Sequence, residues 1–201
     1  MPRFRITLNE IFQKPLAKER VKQIVDINSY GVYFWFADQE ALLRLGISFC
    51  NHRLYTYKVE TNWYYLVYIG ICPRDENTKK QFLRERIVNC HLGNKICNST
   101  FRQSLSALLR NHNPYFKKSG KKNKIFIKDV EEDEITNFIK KHFVLGVLYH
   151  NTPWDIEKDF IEKYNPPLNL THNINGWFYD NMSASRIKHI ESAKNNIFKM
   201  K

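Results

Sequence analysis

The chain has 201 residues, 43% of them hydrophobic and 14% aromatic, which suffices for one folded core and excludes disorder throughout. Its formal net charge of +12 is localised: residues 79–128 hold thirteen Lys and Arg against one acid, Glu85, and the remainder is balanced. Such a window fits a polyanionic partner, DNA first, although a merely lysine-rich surface carries the same charge; the longest apolar run, 63–72, is about half of a bilayer span, so a membrane partner is not expected.

In chain order, residues 7–12 and 19–27 suggest short helices. Residues 31–37 alternate Val32, Phe34 and Phe36 with Tyr33 and Trp35, a strand pattern. Asp38 caps a short helix that stops at Gly46, and 54–59 reads as an edge strand. The almost wholly apolar 64–72 is a buried strand ended by Pro73. Asn77 opens a helix running to Leu92 and stopped by Gly93 and Asn94; Ser99 or Thr100 opens another through Leu109. Lysine-rich 111–123 reads as a loop, 125–127 as a short strand, 131–142 as a helix and 143–149 as a strand. Pro153 starts a helix to Tyr164, broken by Asn165-Pro166-Pro167, and Ser183 or Ser185 begins a polar C-terminal helix. One α/β domain is expected, residues 30–172, with an N-terminal extension (1–29) and a helical C-terminal extension (173–201). No secretory signal is visible, so a soluble cytoplasmic protein is expected. The four cysteines form no C-x-x-C pair, which argues against a zinc ribbon or finger, and the thiols are expected to be reduced.

Five residues stand out chemically. Tyr33 and Tyr68 lie on the two apolar strands, and a pairing of those strands lets both hydroxyls point at one spot; Tyr68 is expected to share a face with Leu66 and Gly70. A phenol acts as a base only where its proton is drawn off, and most tyrosines simply pack. Arg86 borders the apolar stripe Leu83, Ile87 and Cys90, where a guanidinium suits a phosphate, while Arg84 faces solvent or a DNA backbone. Glu157 sits within the stripe Pro153, Phe160, Ile161 and Tyr164. A carboxylate there costs several kcal/mol unless a salt bridge or a metal ion holds it, and Mg²⁺ (or Mn²⁺) suits a single carboxylate completed by water and phosphate. Asn169, in a turn stiffened by Pro166 and Pro167, either orients a water or the glutamate or closes an Asx-turn. Ser99, Thr100 and Arg102 at a helix start offer a phosphate site, and Lys117, Lys118, Lys121 and Lys122 a mobile basic arm.

Gly31-Val32-Tyr33, Tyr68-Ile69-Gly70, Arg86, Glu157 and Asn169 together resemble the GIY-YIG nuclease superfamily, over about residues 31–170. The resemblance implies an α/β fold with a central three-stranded antiparallel sheet flanked by helices. It also implies DNA phosphodiester hydrolysis with one divalent metal: Tyr33 or Tyr68 helps activate water, Arg86 stabilises phosphate charge and Glu157 holds the metal. The two tyrosine tripeptides are separated by 34 residues (34 to 67), which implies an insertion at about 38–62 between the first two core strands. Relatives often carry His or Tyr four residues after the helix arginine; here that position is Cys90, with His91 one step off the face as the candidate auxiliary group. Ile71 stands where some relatives have lysine. The competing reading is a nucleic-acid-binding protein on the same fold that does not cleave.

Overall fold

The computed structural model describes residues 6–14, 16–48, 54–78, 81–93 and 95–197, so Cys50, Lys79, Lys80 and Asn94 lie outside the described residues. β1 (Glu10–Phe12) and α1 (Lys18–Ile24) precede β2 (Gly31–Ala37). α2 (Gln39–Arg44) and β3 (Thr56–Val59) lead into the long β4 (Asn62–Cys72). One α-helical turn, α3 (Leu83–Glu85), continues as a π-helix (Arg86–His91). Then come α4 (Thr100–Leu109), the hairpin strands β5 (Tyr115–Ser119) and β6 (Lys122–Phe126), α5 (Asp129–His142) and β7 (Phe143–Tyr149). A 3₁₀ turn (Pro153–Asp155) precedes α6 (Glu157–Tyr164), and α7 (Tyr179–Ile197) follows.

Strands order β1-β7-β2-β4-β3, all antiparallel. Five strands thus stand where three were expected, with β7, β2 and β4 central and β1 and β3 at the edges. β2 is buried along its whole length, as an all-apolar central strand must be. Its alternation splits the core: Tyr33 and Trp35 join one apolar cluster, while Val32, Phe34 and Phe36 join the other. Phe101 of α4 stacks on Trp35 at 4.7 Å, and α6 covers the opposite face with Ile161 and an edge-on Phe160–Phe34 contact at 5.6 Å.

Between β2 and β4 lie α2, capped by Asp38 Oδ1 accepting from Ala41 N at 2.9 Å, and the edge strand β3. Several expectations are corrected. Residues 10–12 are a strand, not a helix: the exposed edge of β7 offers backbone partners that a one-turn helix lacks, and Asn9 Oδ1 extends the pairing by accepting from Tyr149 N. The lysine-rich segment is a β-hairpin turning at Gly120 (φ +62°), with Tyr115 stacked against Phe126. Helix 77–92 begins only at Leu83, after a short 3₁₀ turn at Glu76–Thr78. The C-terminal helix starts at Tyr179 and packs on α4 and β5 along Met182, Ser185, His189 and Ala193, a 3–4 spacing of buried positions. No described helix is long and apolar enough to cross a membrane.

Candidate active site

Both glycines of the tyrosine tripeptides are required by close approach. Tyr33 pairs with Gly70 across β2 and β4, and its ring lies over that glycine, so a methyl group there would overlap the phenol. A side chain at Gly31 would run into the Leu148 carbonyl of β7. The two tripeptides therefore seat the Tyr33 ring on the sheet and bring it within 6.4 Å of the Tyr68 ring, centroid to centroid.

The Tyr33 hydroxyl meets His91 Nε2 at 2.8 Å, and His91 Nδ1 meets Ser99 Oγ at 2.8 Å. His91 is fully buried; burial first, then the Arg86 and Arg102 guanidiniums, push its pKa well below the ordinary value, so the ring is neutral. The π-helix explains how His91 reaches this place. In an α-helix the fourth residue after Arg86, Cys90, would occupy the site-facing position. The wider turn, with Leu92 N donating to Ile87 O, shifts the register by one residue and swings His91 inward.

A β-bulge in β4 opposite Trp35 and Phe36 leaves Val67 unpaired with β2. Leu66 thereby falls in the opposite core cluster from Tyr68, contrary to simple alternation. Tyr68 shares a hydrogen bond of 2.8 Å with Thr100 Oγ1 at the start of α4. Burial raises the pKa of both phenols, so both are protonated at neutral pH.

The Asn169 amide is spent on the backbone of β4. Its Oδ1 accepts from Ile69 N and its Nδ2 donates to Ile69 O, both at 2.8 Å, and Leu168 N donates to Val67 O. The Pro166–Pro167 turn thus acts as a substitute strand on the open edge of β4, between Tyr68 and Gly70, and holds the buried amide against the backbone.

Arg86 donates from Nη1 to Asn98 O at 3.1 Å, and its electrostatic coupling to Tyr33 raises its pKa. Glu157 is the first residue of α6, partly buried, and interacts electrostatically with both Arg86 and Tyr68. No hydrogen bond or ion pair from a described residue reaches its carboxylate, so no salt bridge among the described residues holds it. Desolvation pushes the carboxyl up to about 7, against the pull of Arg86.

Two strand tyrosines, a buried histidine, an arginine and an unpartnered carboxylate therefore converge beside one bulged strand. The family model of the GIY-YIG catalytic domain matches residues 31–193. The chain belongs to the GIY-YIG family. Comparison with curated proteins and with solved structures returned no match. Nuclease activity is what a GIY-YIG catalytic domain implies in general, and the match runs on through most of α7.

Within this GIY-YIG chain several predicted DNA contacts sit elsewhere. Arg102 is fully buried: it pairs with Glu132 at 2.8 Å and donates to Glu132 O, His91 O and Thr136 Oγ1. It ties α4 to α5 and the π-helix, and no phosphate can reach it. The Ser99 hydroxyl is likewise spent, accepting from Arg102 N and bonded to His91. Arg84 donates to Lys22 O in the last turn of α1, closing that helix end. Thr100 and the four lysines Lys117, Lys118, Lys121 and Lys122 are exposed. Lys124, also on the hairpin, donates to Asn98 Oδ1, the residue whose carbonyl holds Arg86, which moors the basic hairpin beside the site. Arg186 of α7 was missed by sequence reading; its guanidinium interacts electrostatically with Tyr68, and only its position beside the buried residues Ser185 and His189 marked it as more than a surface charge.

Burial of the Arg102–Glu132 pair carries a stability prediction. Arg102→Met leaves Glu132 unpaired and is expected to cost about 3–5 kcal/mol in urea unfolding, whereas Arg102→Met with Glu132→Leu recovers part of that loss. Full recovery is not expected, because Glu132 Oε1 also accepts from Ile96 N at 2.6 Å. A single variant within about 1 kcal/mol of the parent would refute the assignment.

Proposed function

We propose that this protein is a divalent-metal-dependent DNA endonuclease that hydrolyses phosphodiester bonds. The observation that carries the reading is the partly buried Glu157 carboxylate, without a partner among the described residues and within electrostatic reach of Arg86 and Tyr68. The residues fit a hard divalent cation: among the described residues no cluster of three His, Cys, Asp or Glu exists, so the coordination would be one carboxylate plus water and phosphate oxygens, as suits Mg²⁺ (or Mn²⁺). When bound, such an ion supplies charge neutralisation and Lewis-acid polarisation at the phosphate.

The protein groups have separable tasks. Arg86 presents a guanidinium with one donor spent on Asn98 O and charge available for the phosphate. Tyr33, a protonated phenol, takes a proton from the attacking water only as it yields its own. In the tautomer whose Nδ1–H donates to Ser99, His91 Nε2 accepts the Tyr33 O–H; the neutral ring can take that proton, as a weaker base than a free imidazole because burial and the Arg86 and Arg102 charges disfavour its charged form. Tyr68 and Thr100 form the neighbouring wall. Asn169 is a positioning residue that holds β4 in place. DNA as the substrate is supported by the +12 charge and by the lysine hairpin moored to Asn98.

The test is incubation of pooled plasmid and genomic DNA with the protein in Mg²⁺, in Mn²⁺ and in EDTA. Nicking or linearisation in metal and none in EDTA is expected. Undiminished DNA binding with no cleavage in either metal would overturn the catalytic reading in favour of a non-cleaving DNA-binding protein.

A further inference from the structure

Arg186 is a cation without a counter-anion among the described residues. It is partly buried between α7 and α4, donates to the Thr100 carbonyl and to Gln103 Oε1, and pairs with no carboxylate among the described residues. Both of those acceptors are neutral. A half-buried guanidinium held by neutral oxygens has lost part of its hydration without gaining an opposite charge, and burial accordingly lowers its pKa. Contrast Arg102 one turn into α4, fully buried yet matched by Glu132. The fold compensates one of these arginines and leaves the other open.

Its place explains what the missing charge is. Thr100 connects Arg186 to the site in two steps: the Thr100 carbonyl accepts from Arg186 Nη1 at 3.3 Å, and the Thr100 hydroxyl bonds the Tyr68 hydroxyl at 2.8 Å. Tyr68 in turn interacts electrostatically with Arg86, Glu157 and Arg186. Two guanidiniums from different elements, the π-helix and α7, thus lie within electrostatic reach of Tyr68. Thr100 itself is exposed, so the surface beside Arg186 is open to a ligand. Arg186 and Gln103 also fix each other, which orients the planar guanidinium rather than leaving it to sample many rotamers.

We propose that Arg186 binds a backbone phosphate of the DNA strand adjacent to the one held by Arg86, making α7 a wall of the substrate groove. This rests on the nuclease reading above and deepens it. The second phosphate fixes the direction in which the strand crosses Tyr68, and so orients the scissile bond for Tyr33 and Arg86. Arg186 is a substrate-contacting residue here, remote from the proton transfers.

The test is equilibrium binding of a fluorescent duplex to the full chain in EDTA across a salt series. A plot of log K against log salt is expected to be shallower by about one in Arg186→Gln than in the parent, since one phosphate contact is removed. Arg186→Lys, which also loses the fork to Thr100 and Gln103 but keeps the charge, is expected to retain the parental slope. An Arg186→Gln slope equal to the parental one overturns the proposal and leaves Arg186 as a strut between helices. Absence of salt-dependent DNA binding by the parent overturns the nuclease reading instead. Should Arg186→Gln not fold, phenylglyoxal modification of the parent read by mass spectrometry serves: DNA is expected to protect Arg186, and equal modification with and without DNA overturns the proposal.

Discussion

Glu157→Gln is expected to lower DNA cleavage by about 10³-fold or more and, in metal-free buffer at pH 8, to make the protein more stable. The first effect follows if Glu157 is the protein's anchor for the cation: losing about 4 kcal/mol of charge stabilisation in the transition state slows the step about 10³-fold. The second follows from its surroundings. Its folded pKa of about 7 lies above the carboxylate's ordinary 4.5, so the folded protein holds this proton more tightly than the unfolded chain does. Stability is therefore present in full below about pH 4.5 and is lost as pH rises through about 7. A tenfold difference in proton affinity between the folded and unfolded chain is worth about 1.4 kcal/mol, so the parent loses on the order of 1–3 kcal/mol across that window and the glutamine variant does not. The two denaturation midpoints should differ at pH 8 and converge near pH 4.5. Added Mg²⁺ should raise the midpoint of the parent and not of the variant, because a ligand of the native state stabilises it by mass action. DNA binding in EDTA should persist in the variant. Equal cleavage by the two proteins, or equal midpoints at pH 8 without metal, would sink the assignment.

How much of this could be read from the chain depends on whether the determinant was local. The alternation of 31–37 put Tyr33 and Trp35 on one face because period-2 geometry is fixed by the pleat, and it survives in β2. The Asp38 cap and the Ser99 cap are likewise one-turn affairs, and both form. What resisted was register and partner choice. Leu66 left the face of Tyr68 through a single extra residue at Val67, and His91 replaced Cys90 through a π-helical turn; each is a one-residue slip that the residue types do not announce. Arg102 and Arg186 show the same difficulty for charge. Both lie on helices in a basic protein, and only tertiary placement decides that Glu132 neutralises one and nothing described neutralises the other. The two prolines announce a stiff turn at Asn169, but what holds its amide is the bare edge of β4, visible only once β3 is seen to stop pairing at Tyr65. The nuclease family was legible because its glycines and tyrosines are local requirements of two paired strands.

Tyr33→Phe is expected to lower cleavage by about 10²–10⁴-fold with little change in DNA affinity, the range for a positioned proton-transfer group. The variant keeps the ring over Gly70 and the stacking with Tyr68, so the loss reports on the hydroxyl. It also leaves His91 Nε2 buried without its partner, at a cost of about 1–3 kcal/mol in stability, which a denaturation midpoint measures separately from activity. His91→Gln should fall into the same range of activity loss if the two groups pass one proton between them. The decisive measurement is the double variant. Groups that act as one relay are strongly non-additive, because removing either ends the transfer. Tyr33→Phe with His91→Gln should then cleave about as slowly as the worse single variant. If instead the two losses multiply, Tyr33 and His91 act independently, and the proton from the attacking water leaves by a route that does not pass through His91.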